Sequence, residues 1–388
     1  MTSFDSAPST LANPDRLYLE IPEIAQTLPQ RPFSTPGACW RACLNQMTVE
    51  AFLPWLQEEH EPRARVWTSA TTLPSVWEFV NGTAISGDGV RMVLIPSEAI
   101  DTEELRVPQE WVDIPTWTAD YYVSIQVNPD QGWIQILGYT THQRLKTRGF
   151  YDAGDRTYSL NADELIHDLN VLWLARDYCP TELPRAEVIS LPAMPLTQAT
   201  NLIGRLGDGA IALPRLEVPF QLWGALLEHG GWRQRLYEQR QGLPEQWSVP
   251  RWLQAGVSNL GQQLGWGRSE LQFASVRGMR SAPATGIIRR LEIAGTSYEL
   301  QVFPSPEASH PNGSWRFELR RLTANDLIPA GFTLRLLTED LQPFENNEDR
   351  ATEAVECLYV DVMLEPGEGL VWKVDPTPEN YDREILRF

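Results

Sequence analysis

The most reactive neighbourhood in the sequence is His142, set beside Thr140, Thr141 and Arg144. A histidine takes the proton of a hydroxyl or thiol as that group attacks. A nucleophile brought to His142 by the fold would therefore make a hydrolase. The other histidines, His60, His167, His229 and His310, are scattered, and none has a second His or a Cys at ligand spacing. Cys39 and Cys43 stand four apart on one helical face and offer two thiolates to a zinc ion, which needs two more ligands from elsewhere. Without those, a buried cysteine packs as a small hydrophobe, and a disulfide within one helix is disfavoured by the direction of Cβ. The densest acidic run, from Thr338 through Glu339, Asp340, Glu345 and Glu348 to Asp349, lacks the alternating ligand spacing and central glycine of an EF-hand calcium loop. It reads as a solvated loop or as a docking site for arginine.

No Gly-x-Ser-x-Gly elbow, Walker loop, Gly-x-Gly-x-x-Gly turn or His-Glu-x-x-His pair occurs. No catalytic residue, metal or cofactor is therefore nominated. A non-enzymatic interaction or regulatory protein is favoured, with a hydrolase built on His142 as the alternative. The formal charge of −19 over 388 residues repels nucleic-acid phosphates and anionic membrane surfaces. Of the 32 basic residues only Lys146 and Lys373 are lysine. Arginine forks onto carboxylates and stacks on aromatic rings, so an interface rich in such pairs is one reading and codon bias the plainer one. Four cysteines (Cys39, Cys43, Cys179, Cys357) are too few for a disulfide framework in so long a chain. The first sixteen residues lack the basic and apolar regions of a signal peptide, and no run approaches the ~20 apolar residues of a membrane span. The expected location is the cytoplasm.

The elements that must position these residues centre on Ala119 to Thr140. Tyr121, Val123, Ile125 and Val127 alternate with polar partners at the period of a half-buried strand. Asn128-Pro129-Asp130-Gln131-Gly132 supplies a turn, and Trp133 to Tyr139 returns apolar on both faces. Upstream, Thr35-Pro36 reads as a cap and first helical residue for a helix to about Phe52, interrupted by Pro54. Val76 to Ser86 and Val90 to Pro96 read as strands joined by Gly87-Asp88-Gly89. Downstream, Asn161 with Glu164 resembles a capping box for a helix that buries Leu165, Leu169, Leu172 and Trp173.

Helical patterns follow near Thr197 to Leu206, Val218 to Glu228 and Trp232 to Arg240. A last helix carries Leu253, Val257, Leu260 and Leu264, with Gly256 and Gly261 weakening it. Beyond Ser269, strand patterns recur to Phe388 at the spacing of a sandwich or open barrel. The fold class is α+β. Residues 16–178 are expected as a mainly antiparallel α+β domain, 179–267 as a Pro-rich linker and helical segment, and 268–388 as an all-β, sandwich-like domain. Residues 229–321 hold 12 Arg against 7 acids, whereas 322–388 hold 15 acids against 5 bases. Either the two stretches pair within one β-domain, or each offers a face to a partner. In the second case the partner meets Glu339, Asp340, Glu345, Glu348 and Asp349, or Arg277, Arg280, Arg289 and Arg290.

Whole phrases carry a resemblance. LIPSEAIDTEELRVPQEWVDIPTWTADYYVSIQVNPDQGWIQILGYTTHQ, LRLLTEDLQPFENNED and the ending LEPGEGLVWKVDPTPENYDREILRF resemble a cyanobacterial family of uncharacterised proteins, a domain of unknown function, over nearly the whole chain from Leu17. The resemblance implies a cyanobacterial origin and supplies no catalytic residues. It also implies a regulatory or adaptor role, with a sigma factor or a caspase-like peptidase as partner.

Overall fold

Tyr121–Asn128 and Trp133–Thr141 form the antiparallel hairpin that their alternation predicts, and the hairpin lies inside a six-stranded sheet. The computed structural model describes residues 17–26, 33–67, 69–178, 183–271, 284–305, 313–323, 326–379 and 381–388. In its first half the chain runs β1 (Tyr18–Glu20), α1 (Pro36–Glu59), β2 (Arg65–Val66), α2 (Leu73–Trp77), β3 (Thr83–Gly87), β4 (Val90–Ser97), β5 (Glu104–Pro108), α3 (Gln109–Asp113), β6 and β7 (the hairpin just given), α4 (His142–Arg148), β8 (Phe150–Asp152), β9 (Thr157–Asn161) and α5 (Asn170–Tyr178). The middle holds α6 (Leu196–Leu206), α7 (Phe220–Glu228), α8 (Gly230–Arg240), α9 (Val249–Ala255) and α10 (Asn259–Gln263). Then come β10 (Trp266–Leu271), β11 (Ala284–Ile293), β12 (Thr296–Pro304), β13 (Ser314–Arg321), β14 (Thr333–Thr338), β15 (Glu348–Arg350), β16 (Cys357–Met363), β17 (Gly369–Asp375) and β18 (Ile385–Arg387).

The described residues fall into two compact units, and the middle helices are shared between them. One unit draws on Met1–Trp67, Leu73–Ala193 and Gly209–Glu228, the other on Thr68–Thr72, Met194–Asp208 and His229–Phe388. In the first unit the large sheet has the order β1-β7-β6-β4-β3-β2, antiparallel except where β4 runs parallel to β6. Helix α1 covers it, with Leu44, Met47, Phe52 and Leu56 sharing a core with Ile85, Leu94, Val123 and Ile136. Thr35 caps α1 as expected, its Oγ1 accepting the Ala38 N–H at 3.1 Å. The helix does not stop at Pro54 but continues to Glu59. Proline costs one backbone bond there, while Phe52 and Leu56 on either side are fully buried, and that burial holds the chain helical.

Two further expectations are corrected. The strand foreseen from Val76 to Ser86 begins only at Thr83, because Leu73–Trp77 turns as a short helix and Gly82 follows at φ +114°. After Asn161 the chain makes a single 3-10 turn, Ala162–Glu164, and the α-helix foreseen there begins only at Asn170. Asn161 makes no side-chain cap bond, and Ile166 instead bridges to Tyr139 on β7. Gly138, at φ +149°, permits that approach, since a Cβ there would meet the Ile166 carbonyl at 2.9 Å. Leu165, Leu169 and Leu172 are still buried, as their spacing demands. The excursion before the hairpin contributes β5 to a second small sheet, β5-β9-β8.

In the second unit, a five-stranded sheet (β10-β11-β12-β13-β16) and a four-stranded sheet (β15-β14-β17-β18) give their inward residues to one core. Leu300, Val302, Phe317 and Leu319 from the first join Leu334, Leu336, Trp372 and Leu386 from the second. The periodic run from Leu253 to Leu264 splits into α9 and α10 at Gly256, which sits at φ +96°. Strands β10 and β15 were not anticipated, because both are short on apolar alternation. The α+β class and the sheet-rich C-terminal region hold.

Candidate functional site

Thirty arginines and fifteen tryptophans are put to a repeated use: a buried glutamate receives an arginine, and at Glu110, Glu339 and Glu384 an indole N–H as well. In the first unit Glu110, 0% exposed, accepts Arg215 Nε at 2.9 Å and Nη2 at 2.7 Å, one on each oxygen, and Trp223 Nε1 at 2.8 Å. In the second unit Glu339 accepts Trp232 Nε1 at 3.2 Å, Arg387 Nη2 at 2.9 Å and Arg235 Nη1 at 3.5 Å. There too Glu384 accepts Trp266 Nε1 at 2.8 Å and Arg289 Nη2 at 3.3 Å. A carboxylate taken out of water is costly unless its lone pairs are filled, and guanidinium with indole fills them without adding a flexible lysine.

At Glu61 the arginine is present without the indole bond. Glu61 follows α1 and is 5% exposed; its Oε1 is bound by Arg176 Nη1 from α5, but its buried Oε2 has no partner. Trp173, one turn before Arg176, has a buried indole N–H that also has no partner. Its ring packs on two neighbours, with His60 stacked at 4.8 Å and the Arg176 guanidinium over it at 5.3 Å. Burial pushes the His60 pKa down, against the pull of Glu59 and Glu61. Glu61, Trp173 and Arg176 line a cleft whose floor is Leu56, Ile85, Val90 and Met92. The space has room for no more than about one water molecule. The buried Trp372 indole, in the core between the two sheets, lies beside Glu384 and interacts with its carboxylate.

On its other side α5 stands in solvent. Val171, Leu174 and Tyr178, spaced three and four apart, are exposed at 40%, 54% and 80%, whereas Leu172 is completely buried. The helix has one face in the cleft and core and another that is apolar and open.

The residues singled out from sequence are mostly engaged elsewhere. Glu339 is 3% exposed and Arg289 9% exposed, each inside one of the clusters above, so neither presents its charge at the surface. Asp340 accepts the Thr338 hydroxyl at 2.6 Å, and Asp349 accepts the Tyr359 backbone N–H at 2.9 Å. Glu348 pairs with Arg335 at 2.6 Å, while Glu345 and Arg290 are exposed. Arg277 and Arg280 lie outside the described residues. The charge asymmetry resolves into pairs within one unit: Arg233 with Asp382, Arg235 with Glu339, Arg289 with Glu384, Arg316 with Asp361 and Arg321 with Asp326.

His142 is 0% exposed and committed on both sides. Its Nδ1 accepts the Ala186 N–H at 2.9 Å, which puts the proton on Nε2, 3.0 Å from the Val112 carbonyl. No lone pair remains to take a nucleophile's proton, and burial lowers its pKa further. Thr141 is spent capping α4, its Oγ1 accepting the Arg144 N–H at 3.1 Å. Cys43 is 1% exposed, and burial, with Cys39 beside it, pushes its thiol up to about 11. Among the described residues no three His, Cys, Asp or Glu side chains come together to hold a metal ion. None of their helices is long and apolar enough to cross a membrane.

Sequence reasoning missed Glu61 and Arg176 and counted Trp173 only as a buried face. The available signal was compositional: an arginine-rich, tryptophan-rich chain has many carboxylates to satisfy.

A family model described as "Protein of unknown function (DUF1822)" matches residues 19–387. No curated protein and no solved structure matches the chain.

Proposed function

Because the chain belongs to the family of proteins of unknown function DUF1822, which supplies no activity to inherit, we propose that it is a non-enzymatic protein-interaction protein with a regulatory or adaptor role. The observation that carries this reading is the open face of α5, where Val171, Leu174 and Tyr178 stand in solvent at i, i+3 and i+7. A partner with an apolar groove can seat three such side chains from one helix, and each buried anchor contributes about 1.5–3 kcal/mol. The engagement of His142 with the Val112 and Ala186 backbone supports the same reading against the hydrolase. A sigma factor or a caspase-like peptidase, the partners that the family resemblance implies, comes first for testing.

The experiment is co-purification of the tagged protein from its native cells, followed by titration of the recovered partner against variants. Leu174→Glu with Tyr178→Glu is expected to weaken the complex at least a hundredfold while leaving the melting temperature unchanged. Glu345→Lys with Glu348→Lys, in the exposed part of the acidic loop, is expected to change it less than threefold. Equal binding by wild type and the α5 variant overturns the α5 site. The reverse ranking returns the partner to the acidic loop.

A further inference from the structure

The bonds that disqualify His142 as a base make it sensitive to a proton. A backbone N–H only donates and a carbonyl only accepts. The Ala186 N–H on Nδ1 and the Val112 carbonyl on Nε2 therefore fix a neutral ring. A second proton has one place to go, Nδ1, where it would meet the Ala186 N–H head-on. Two donors cannot share that bond, and the ring is 0% exposed, so bulk water does not replace it. Ala186 belongs to a strap without regular secondary structure, residues 183–195, tied down at three consecutive positions. The Pro184 carbonyl accepts the Gln143 N–H at 2.8 Å. Arg185 forks onto Asp120, Nε to Oδ1 at 2.7 Å and Nη2 to Oδ2 at 2.9 Å. Ala186 donates to His142 at 2.9 Å. On either side of these ties Leu183 and Ile189 stand in solvent, 81% and 85% exposed.

We propose that His142 and residues 184–186 form an acid-release latch, in which a proton taken up at His142 Nδ1 expels the Ala186 N–H and frees the strap from α4 and from Asp120. The latch does not rest on the docking role of α5.

The groups around the ring favour release. Asp113 of α3, Lys146 of α4 and Arg185 of the strap act on it, and the Tyr122 ring of β6 lies 6.2 Å away. Both neighbouring carboxylates are already engaged, Asp113 by Lys146 and the Tyr158 hydroxyl, Asp120 by Arg185. Burial, aided by Lys146 and Arg185, holds the pKa of the latched ring below the usual 6.5, against the Val112 carbonyl and Asp113. The open form therefore takes the proton first. Latching is at full strength above pH 6.5 and weakens about tenfold for each pH unit below it, down to the pKa of the latched ring.

The test is amide hydrogen exchange of the full chain, read residue by residue as protection factors from about pH 7.5 down to about pH 5. The expected result is that Ala186 and Gln143 lose protection together, about tenfold per pH unit below 6.5. Gly149, whose N–H is bound by the Leu145 carbonyl at the far end of α4, keeps its own. His142→Gln offers an acceptor and a donor that do not titrate, and it should flatten the dependence. Where that variant fails to fold, the wild-type ring decides, observed through ¹⁵N-labelled histidine. Uptake of the Nδ1 proton in step with the loss at Ala186 supports the latch, and uptake with Ala186 still protected overturns it. Constant protection of Ala186 down to about pH 5 also overturns it. So does a loss shared equally by Gly149, which is unfolding of the whole region. An unchanged loss in His142→Gln overturns it too and moves the titrating group to Asp120. Partner binding is not measured in any arm, so failure here leaves the docking surface on α5 standing.

Discussion

Glu110 and Glu61 belong to the same unit, are similarly buried and are each bound by an arginine, yet one is closed and the other open. The difference lies in where the donors come from. Arg215 and Trp223 reach Glu110 from separate elements, the turn at Pro214–Leu216 and α7, so guanidinium and indole approach from two directions and share the carboxylate. At Glu61 only Arg176 of α5 makes the bond, and Trp173, three residues before it on the same helix, makes none. Its ring is instead engaged by His60 and by the guanidinium itself.

The largest expected effect breaks the closed case. Glu110→Ala leaves Arg215, 14% exposed, and Trp223, 0% exposed, without their acceptor, and should cost about 3–5 kcal/mol in chemical denaturation. Glu61→Ala should cost half of that or less, because Arg176 is 22% exposed at its side chain and can turn to water. Equal losses would mean that the two clusters do not differ in function.

Much of this architecture was legible in the sequence, and what was hidden has a physical cause. The hairpin of β6 and β7 and the Gly87-Asp88-Gly89 turn were plain, because alternation and turn chemistry are local. The start of α5 was not, because the Asn161 cap lost to a long-range bridge between Ile166 and Tyr139. The excess of arginine and the opposed charge of two stretches announced carboxylate pairing, and the five pairs from Arg233–Asp382 to Arg321–Asp326 realise it. Which glutamate would meet which arginine was out of reach, since Glu110 and Arg215 stand 105 residues apart. Glu61 was hidden for another reason: within Glu58-Glu59-His60-Glu61 it looks like any solvated acidic helix end.

A second test removes only the indole donor. Trp223→Phe keeps the ring's bulk and deletes one hydrogen bond to a charged, buried acceptor, so it should cost about 1.5–3 kcal/mol. Trp266→Phe, which removes the donor from Glu384, should fall in the same range.

A third test shows what the arginine contributes. Glu238 is 4% exposed and accepts the Gln234 amide at 2.9 Å; burial pushes its pKa up to about 7. The folded state therefore holds a proton that the unfolded chain releases near pH 4.5. The stability linked to that proton is present below pH 4.5 and is lost as pH rises through about 7. Glu238→Gln, which never ionises, should be more stable than wild type by about 2 kcal/mol at pH 8 and indistinguishable from it at pH 4. A gain that does not vary with pH would show that Glu238 is not the group titrating.

The smallest effect is the most telling. Trp173→Phe removes an N–H that has no partner, so its loss should lie within about 0.5 kcal/mol, with stacking against His60 and Arg176 retained by the phenyl ring. Set beside Trp223→Phe, this isolates the hydrogen bond from the bulk of the ring, because both changes trim an indole to a phenyl beside an arginine-bound glutamate. A loss of about 1.5 kcal/mol or more at Trp173, measured by denaturant titration, would mean that its N–H already has an acceptor in solution. Glu61 would then resemble Glu110, with an arginine and an indole both engaged. A negligible loss leaves the donor without an acceptor, in contrast to the Trp223 N–H on Glu110.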